Sequence, residues 1–460
     1  MTALEFEAFE YAADQSFAPA RYQIEGDEPG GWRVTRDGVE ALTLGPGYRA
    51  LRTRACGVCS TDLARHFLPF PLPQVIGHEV VAVDPDGRRY VVEINASHAA
   101  RGVAADCPFC AAGLPTHCPS RMTLGIDTLP GGFGPWILAP VAACVEVPAE
   151  IPDDDAVLVE PLAAAMHAVA TVAPRDEDRV AVLGPRRLGM LVVAALHAAR
   201  AGCSVEAVVR DAGLGDLARS LGASAVHVLE GERDAALQAA FDVVIDTTGS
   251  PSGLERALRL ARREVHLKST HGQRAGGVAH LTEFVVDELA LSVMPRDPEE
   301  RRVAWLAAQP PSGAFAAGAE LMHGAPDELA RRYDAGGGLP HADAVVVDSV
   351  ATFERAVRPI PGLERPLARP RGDIWLHPDA AVEGSTLLQA VRDRGVRVSS
   401  SRCGDFRAAL AALATPSLRG LGRRFVTHRF DASELPRAFD VARTRACIKA
   451  VVEHGGAAAR

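Results

Sequence analysis

Cys59, Thr61, His78, Glu79 and Glu160 are residue types that together can hold a metal ion and move a proton. They occur in Ala55-Cys-Gly-Val-Cys-Ser-Thr-Asp62, in Gly77-His-Glu79 and in Val157-Leu-Val-Glu-Pro-Leu-Ala163. Zinc accepts thiolate, imidazole and carboxylate ligands, and a catalytic site keeps one position open, so three ligands from separate turns suffice. Cys59 and His78 supply the first two. The third is Glu160, which precedes a proline able to open a helix, or else Glu79. Thr61 would lie beside the metal, where its hydroxyl can take a proton from a bound alcohol. Taken singly, His78 also reads as a core histidine and Glu160 as a helix cap; it is the whole set in this order that points to a catalytic zinc.

Two kinds of texture surround these residues. Residues 1 to about 150 carry short alternating runs such as Tyr90-Val-Val-Glu-Ile with frequent Gly and Pro, the pattern of a compact β domain. Beyond that, Arg179–Gly184 reads as a strand, Leu188–Ala201 as a helix and Ser204–Val209 as a second strand, a βαβ unit of a parallel sheet. Its first turn, Gly184-Pro-Arg-Arg-Leu-Gly189, offers Gly184, Arg186, Arg187, Leu188 and Gly189 to a dinucleotide pyrophosphate at the helix N-terminus. Arg186 stands where the Gly-x-Gly-x-x-Gly fingerprint has its middle glycine, so it either pairs with phosphate or fills the space. The second strand ends in Val209-Arg210-Asp211. An acid there binds a ribose 2′-hydroxyl, whereas an arginine accommodates a 2′-phosphate; Arg210 favours NADP over NAD and Asp211 weighs the other way.

In this order the motifs resemble the zinc-dependent alcohol dehydrogenase branch of the medium-chain dehydrogenase/reductase superfamily. Glu160-Pro-Leu-Ala163 is similar to its sorbitol and threonine dehydrogenase-like variant, and Leu124-Gly-Ile-Asp and Gly131-Gly-Phe-Gly-Pro-Trp136 to the stretch closing its catalytic domain. The resemblance covers roughly residues 30 to 292 and 396 to 454. It implies an α/β protein with a GroES-like β-rich catalytic domain at 1–150, on which residues 430–460 pack back. A Rossmann doubly wound nucleotide domain at 151–294 and 396–430 would carry an α/β insertion at 295–395. The implied activity is zinc-dependent hydride transfer between an alcohol or polyol, or the matching carbonyl, and NADP (or NAD), with Thr248 and Lys268 on strands facing the nicotinamide. The contrasting class is a non-catalytic or repurposed binding protein on the same fold, and zinc content with NADPH binding separates the two.

The resembled family also holds a structural zinc with four cysteines. Cys107, Cys110 and Cys118 match three of them, while Ala104 stands at the fourth position. Structural zinc is nearly always four-coordinate, so His98, Asp106 or His117 must complete the site, or the lobe is zinc-free.

The inserted residues read as structure rather than linker: Ala344–Asp348 as a strand, Thr352–Arg358 as a helix and Gly372–Leu376 as a strand, with Ala307–Gly318 and Gly336–Gly338 as surface connections. Asp343-Ala-Val-Val-Val-Asp348 with Phe353-Glu-Arg-Ala-Val-Arg358 echoes Asp242-Val-Val-Ile-Asp246 with Leu254-Glu-Arg-Ala-Leu-Arg259, as a partial duplication would. In the resembled family the strand leading into Ser401-Arg-Cys-Gly404 lies at the sheet edge and pairs across a two-fold axis. The insertion falls at that edge, so the expectation is that its strands extend the sheet and that any homo-oligomer uses a different interface.

Bulk properties agree. The 460 residues are 48% hydrophobic and 23% charged, the composition of a folded multidomain protein, and a net charge of -9 argues against nucleic acid as a partner. The acidic N-terminus lacks the layout of a signal peptide, and no apolar run is long enough for a membrane helix. Nine cysteines without a disulfide-like pattern fit metal ligation and burial in a cytosolic protein.

Overall fold

A computed structural model describes residues 2–103, 106–199, 202–229, 236–269, 272–279, 281–299, 301–325, 328–329, 331, 342–360 and 366–455. Ala104, Ala201 and Gly336–Gly338 lie outside the described residues. The chain divides into two units, residues 1–163 with 404–460, and residues 164–403. The sequence had placed the corresponding joints near 150 and 430.

The first unit begins with an antiparallel meander of β1 (Thr2–Tyr11), β2 (Phe17–Asp27), β3 (Gly31–Arg36) and β4 (Val39–Leu44). The next sheet runs in the order β11 (Cys144–Glu146), β7 (Arg89–Val92), β6 (Glu79–Val83), β5 (Tyr48–Gly57), β24 (Lys449–Glu453) and β23 (Val426–Asp431), with β10 (Trp136–Pro140) also on β5. Its central strands are apolar on both faces; all of Glu79–Val83 is buried. The C-terminal strand is an integral part of this sheet, since Val451 pairs antiparallel with Gly57. A ribbon of β8 (Asn95–Ala96) and β9 (Met122–Thr123) flanks the cysteine-rich lobe.

The second unit is built on one eleven-stranded sheet. Its order is β14 (Ala225–Val228), β13 (Ser204–Val209), β12 (Arg179–Leu183), β15 (Phe241–Asp246), β16 (Ala261–Leu267), β22 (Arg397–Ser400), β17 (Ala290–Val293), β21 (Ala368–Ala381), β20 (Ala342–Ser349), β18 (Arg302–Trp305) and β19 (Glu320–His323). The inserted strands therefore do extend the sheet: Leu291 of β17 pairs in parallel with Ile374 of β21. Helices used below are α1 (Val159–Val172), α2 (Arg187–Ala198), α3 (Ala212–Ser220), α4 (Pro251–Leu260), α5 (Leu281–Val286), α6 (Gly313–Ala317), α7 (Val350–Val357) and α8 (Thr386–Arg394). The sheet needs cover on both faces because strands such as β12, β13, β15 and β20 are buried apolar runs on both sides. One buried cluster duly runs from Leu183 and Val244 through Val265 and Leu291 to Val345, Phe353 and Ile374.

Residues 307–318 connect over the surface as expected, except at one anchored side chain. Ser312 caps the short helix α6, and Phe315 is buried against Trp305 and Trp375. An aromatic ring that finds such a pocket pulls its loop onto the sheet.

Candidate active site

Cys59 is the N-cap of the single turn Ser60–Leu63, and its backbone N–H donates to Asp62 Oδ2 at 2.8 Å. The other oxygen of that carboxylate, Oδ1, lies 3.1 Å from His78 Nδ1, an ion-pair distance without hydrogen-bond alignment. Asp62 thus bridges the two foremost ligand candidates. Burial opposes a charged His78 ring, but Asp62 and then the Cys59 thiol outweigh it and push its pKa well above the ordinary value. A carboxylate on one imidazole nitrogen fixes the ring and leaves the other nitrogen for a metal. Thr61 Oγ1 is 3.7 Å from Cys59 Sγ. Gly77 sets the approach of His78: its φ is +103°, and a Cβ there would sit 2.8 Å from the Phe133 ring and 2.9 Å from Cys56 Sγ.

Glu79 points to a different partner. Lys449 Nζ donates to Glu79 Oε1 at 2.7 Å and to its other oxygen, and both side chains are buried. Glu160 is half-buried in the first turn of α1. Among the described residues, Cys59, His78 and Glu160 do not form a group of three ligand atoms at metal-holding spacing. Asp62 and Lys449 were not singled out by sequence reasoning. The Cys59-Ser-Thr-Asp62 spacing is that of a capping box and could have found Asp62; a lone lysine in an apolar strand was the signal for Lys449. Arg65 is fully buried and holds its loop by donating to the Phe70 and Pro71 carbonyls and to Gln74 Oε1.

A second cluster does meet metal-holding spacing. His98, Cys107, Cys110 and Cys118 bring one ligand atom each to within 4.8 Å of one another. Zinc–sulfur bonds of about 2.3 Å in a tetrahedron put sulfurs about 3.8 Å apart, and Cys107 Sγ to Cys118 Sγ is 3.8 Å. His98 Nδ1 is 3.4 Å from Cys118 Sγ. Of the three candidates for the fourth ligand, the fold therefore brings in His98. Burial opposes ionisation of Cys107, but hydrogen bonds from Cys110 and Phe109 outweigh it and hold its thiol below the ordinary value; burial pushes Cys110 up to about 11.

In the second unit the turn after β12 has Gly184 at φ +70°, its N–H bonded to Val208 O. A Cβ on Gly184 would meet Thr248 Cγ2 at 2.5 Å, and one on Gly189 would meet Thr247 Oγ1 at 2.4 Å, so both glycines allow the turn to close on the end of β15. Arg186 is the N-cap of α2, half-buried; Arg187 is buried and Leu188 half-buried. The first-turn N–H groups of α2 lack intrahelical partners, and with Arg186 beside them they suit an anion. Arg210 is exposed, while Asp211 is engaged as the N-cap of α3, accepting from Gly213 N–H at 2.8 Å. Thr248 Oγ1 donates to Asp246 Oδ1 at 2.7 Å. Burial raises the Asp246 carboxyl to about 6. Lys268 is buried, its Nζ donating to the Ser401 and Arg402 carbonyls at 3.1 and 2.5 Å, which ties down the exit from β22.

Residues 45–149 match the family model of the alcohol dehydrogenase GroES-like domain. The chain is 28% identical over 284 residues to the L-threonine 3-dehydrogenase of Streptomyces coelicolor, covering 57% of this chain and 78% of that protein. Over these residues the chain is similar to alcohol dehydrogenase-like proteins. Its zinc-dependent alcohol dehydrogenase-like fold is shared with L-idonate 5-dehydrogenase from Escherichia coli, at a TM-score of 0.59 and 15% identity over 98% of this chain and 100% of that one. It is shared also with a putative zinc-binding dehydrogenase from Sinorhizobium meliloti bound to NADP, at a TM-score of 0.57 and 18% identity, with the same coverage. The GroES-like match falls on the unit that carries Cys59, His78 and the cysteine lobe. Among the described residues no helix is long and apolar enough to cross a membrane.

Proposed function

We propose that this chain is a zinc-dependent oxidoreductase that moves a hydride between an alcohol or polyol, or the matching carbonyl, and NAD(P). The observation that carries the reading is Asp62, whose two oxygens engage Cys59 and His78 at once. When bound, zinc supplies Lewis acidity to the substrate oxygen and NAD(P) the hydride acceptor or donor. Cys59 and His78 would hold the metal with Glu160 as third ligand. Glu79 is the weaker candidate because Lys449 already neutralises it. Thr61 Oγ1 takes the proton from the substrate hydroxyl, and Asp62 keeps the His78 ring in the orientation that a metal requires. His98, Cys107, Cys110 and Cys118 hold a second, structural zinc. In the other unit the N-terminus of α2, with Gly184, Arg186, Arg187, Leu188 and Gly189, binds the pyrophosphate, and Thr248 and Lys268 line the nicotinamide side. Arg210 pairs a 2′-phosphate, and the engagement of Asp211 as a helix cap supports NADP over NAD.

The relative named above is a dehydrogenase, which favours the enzyme over a repurposed binding protein. All nine cysteines are free of disulfides, which suits a cytosolic location. The deciding experiment is zinc analysis with a cofactor titration, followed by a panel of alcohols and carbonyls. Cys59→Ala is expected to lose one zinc and all turnover; full zinc content and activity in that variant would overturn the assignment.

A further inference from the structure

The inserted segment repeats the plan of the sheet it extends. Across β13, β12, β15, β16 and β22, the residues Val205, Val180, Val243, Glu264 and Arg397 form one row of partners. Across β19, β18, β20, β21 and β17, Leu321, Val303, Ala344, Asp373 and Ala290 form another. All pairs within each row are parallel. The rows meet at the antiparallel pair β17–β22, where Leu291 faces Val398. An antiparallel seam between two like half-sheets is two-fold geometry, in which each residue faces its own counterpart. Details repeat on both sides. Arg179 N–H donates to Asp242 at 2.9 Å, and Arg302 N–H to Asp343 at 3.0 Å. A threonine also ties an aspartate at the end of β15 and of β20, Thr248 on Asp246 at 2.7 Å and Thr352 on Asp348 at 3.0 Å, though at different spacing along the chain.

The chain crosses the seam twice. After β16 it passes through α5 into β17, which lies beside β21; after β21 it passes through α8 into β22, which lies beside β16. Each half has given its last strand to the other. The helices follow their strands: Thr386 Oγ1 at the start of α8 donates to Glu255 of α4 at 2.7 Å, and Ala279 N–H before α5 donates to Glu354 of α7 at 2.9 Å. Glu255 and Glu354 hold the same place in Leu254-Glu-Arg-Ala and Phe353-Glu-Arg-Ala.

The second half kept the topology and closed the cleft. A dinucleotide would lie at the carboxyl ends of β18 and β20. There Asp348 accepts the Ala308 N–H at 2.7 Å, and the Trp305, Phe315 and Trp375 rings pack edge-on at 5.6 and 6.0 Å between centroids. We infer that the segment from β17 through β21 is a built-in partner. It is a ligand-free half-sheet, joined by strand exchange, that occupies in cis the β22 edge on which a second copy of this chain would otherwise add its own strand.

The test is the full-length Leu291→Cys/Val398→Cys variant under mild oxidation, since directly opposed residues of an antiparallel pair suit a disulfide. The expected product is a 291–398 link within one chain, mapped by mass spectrometry and absent from each single variant. A covalent dimer through these positions, or no such link, would overturn the inference. Amide exchange gives an independent readout that needs no core substitution. Glu354→Ala should speed exchange in 281–286, and Glu255→Ala in 386–394, each by about fivefold, as loss of one hydrogen bond would. Acceleration confined to α7 and α4 themselves would contradict the exchange.

Discussion

Asp62→Asn separates orientation of His78 from mere proximity, because the substitution keeps the size of the side chain and changes what each of its two atoms can do. One Asp62 oxygen accepts the Cys59 N–H at 2.8 Å and the other faces His78 Nδ1 at 3.1 Å. An asparagine must keep its carbonyl on the Cys59 N–H, since two donors cannot face each other. Its NH2 then faces His78 Nδ1 and makes that nitrogen an acceptor, which moves the imidazole proton to Nε2, the nitrogen a metal needs. Loss of such an orienting carboxylate costs about 10- to 100-fold in metal affinity, about 1.4 to 2.7 kcal/mol. The turn itself should survive, because the cap to Cys59 is retained. The assay is zinc retention against a graded chelator, with metal counted per chain. The zinc of the cysteine lobe serves as an internal control and should be unchanged, while the other is lost at 10- to 100-fold lower chelator strength. Asp62→Asn that held both zincs as tightly as the parent would refute this account of His78. Asp62→Ala, which loses the cap as well, should add about 1 kcal/mol of destabilisation.

The cysteine lobe gives a paired prediction: His98→Ala should release one zinc and lower Tm, whereas His98→Cys should keep both, because thiolate and imidazole are interchangeable in closed zinc sites. Arg210→Ala should weaken NADP by roughly tenfold or more and leave NAD nearly unchanged, on about 1.5 to 3 kcal/mol for a charge-assisted contact, read by isothermal titration; equal losses for the two would count against it. Asp246, raised from 3.8 to about 6 by burial, binds its proton more tightly folded than unfolded. Its contribution is therefore favourable below the unfolded value, weakens as pH rises through that window and is fully lost above about 6. Asp246→Asn should thus raise Tm at pH 8 but not at pH 4, by at most about 3 kcal/mol in stability; an equal effect at both pH values would remove burial as the cause. Lys449→Met should cost about 3 to 5 kcal/mol by stranding the Glu79 charge, with much of the loss recovered in Lys449→Met/Glu79→Leu, as measured by denaturant unfolding.

The βαβ start of the second unit was legible because it rests on a local signal, the strand–turn–helix of β12 and α2 having its own period. The insertion was legible as structure for the same reason, and the repeated Asp and Glu-Arg-Ala pattern falls on β15 with α4 and on β20 with α7. What was hidden depends on pairing between distant segments. Lys449 meets Glu79 only because β24 docks on β5. The exchange of β17 and β22 leaves no trace in hydrophobic period, since Ala-Leu-Ser-Val and Arg-Val-Ser-Ser are short and carry no signal of which strand each lies beside. His98 stood among three open choices, because spacing along the chain does not say which side chain the lobe folds inward.

The duplicated half also bears on the weakest part of the dinucleotide reading, the arginine in the glycine fingerprint. Gly184 and Gly189 close against Thr248 and Thr247, so their presence is explained by packing and does not by itself argue for a ligand. The comparison inside the chain is more telling. Two half-sheets of one topology have diverged in opposite directions at the same place. The half ending in β18 and β20 has a five-residue helix, a carboxylate turned onto its own loop and three aromatic rings filling the space. The half ending in β12 and β15 keeps a left-handed glycine and a twelve-residue helix whose first turn starts beside Arg186. A sheet that needed no ligand on either side would have no reason to keep one end so unlike the other. That contrast supports the proposal that Arg186 pairs an anion in place of the middle glycine, and Arg186→Gly should leave fold and zinc intact while weakening NADPH binding; unchanged or tighter NADPH binding would count against it.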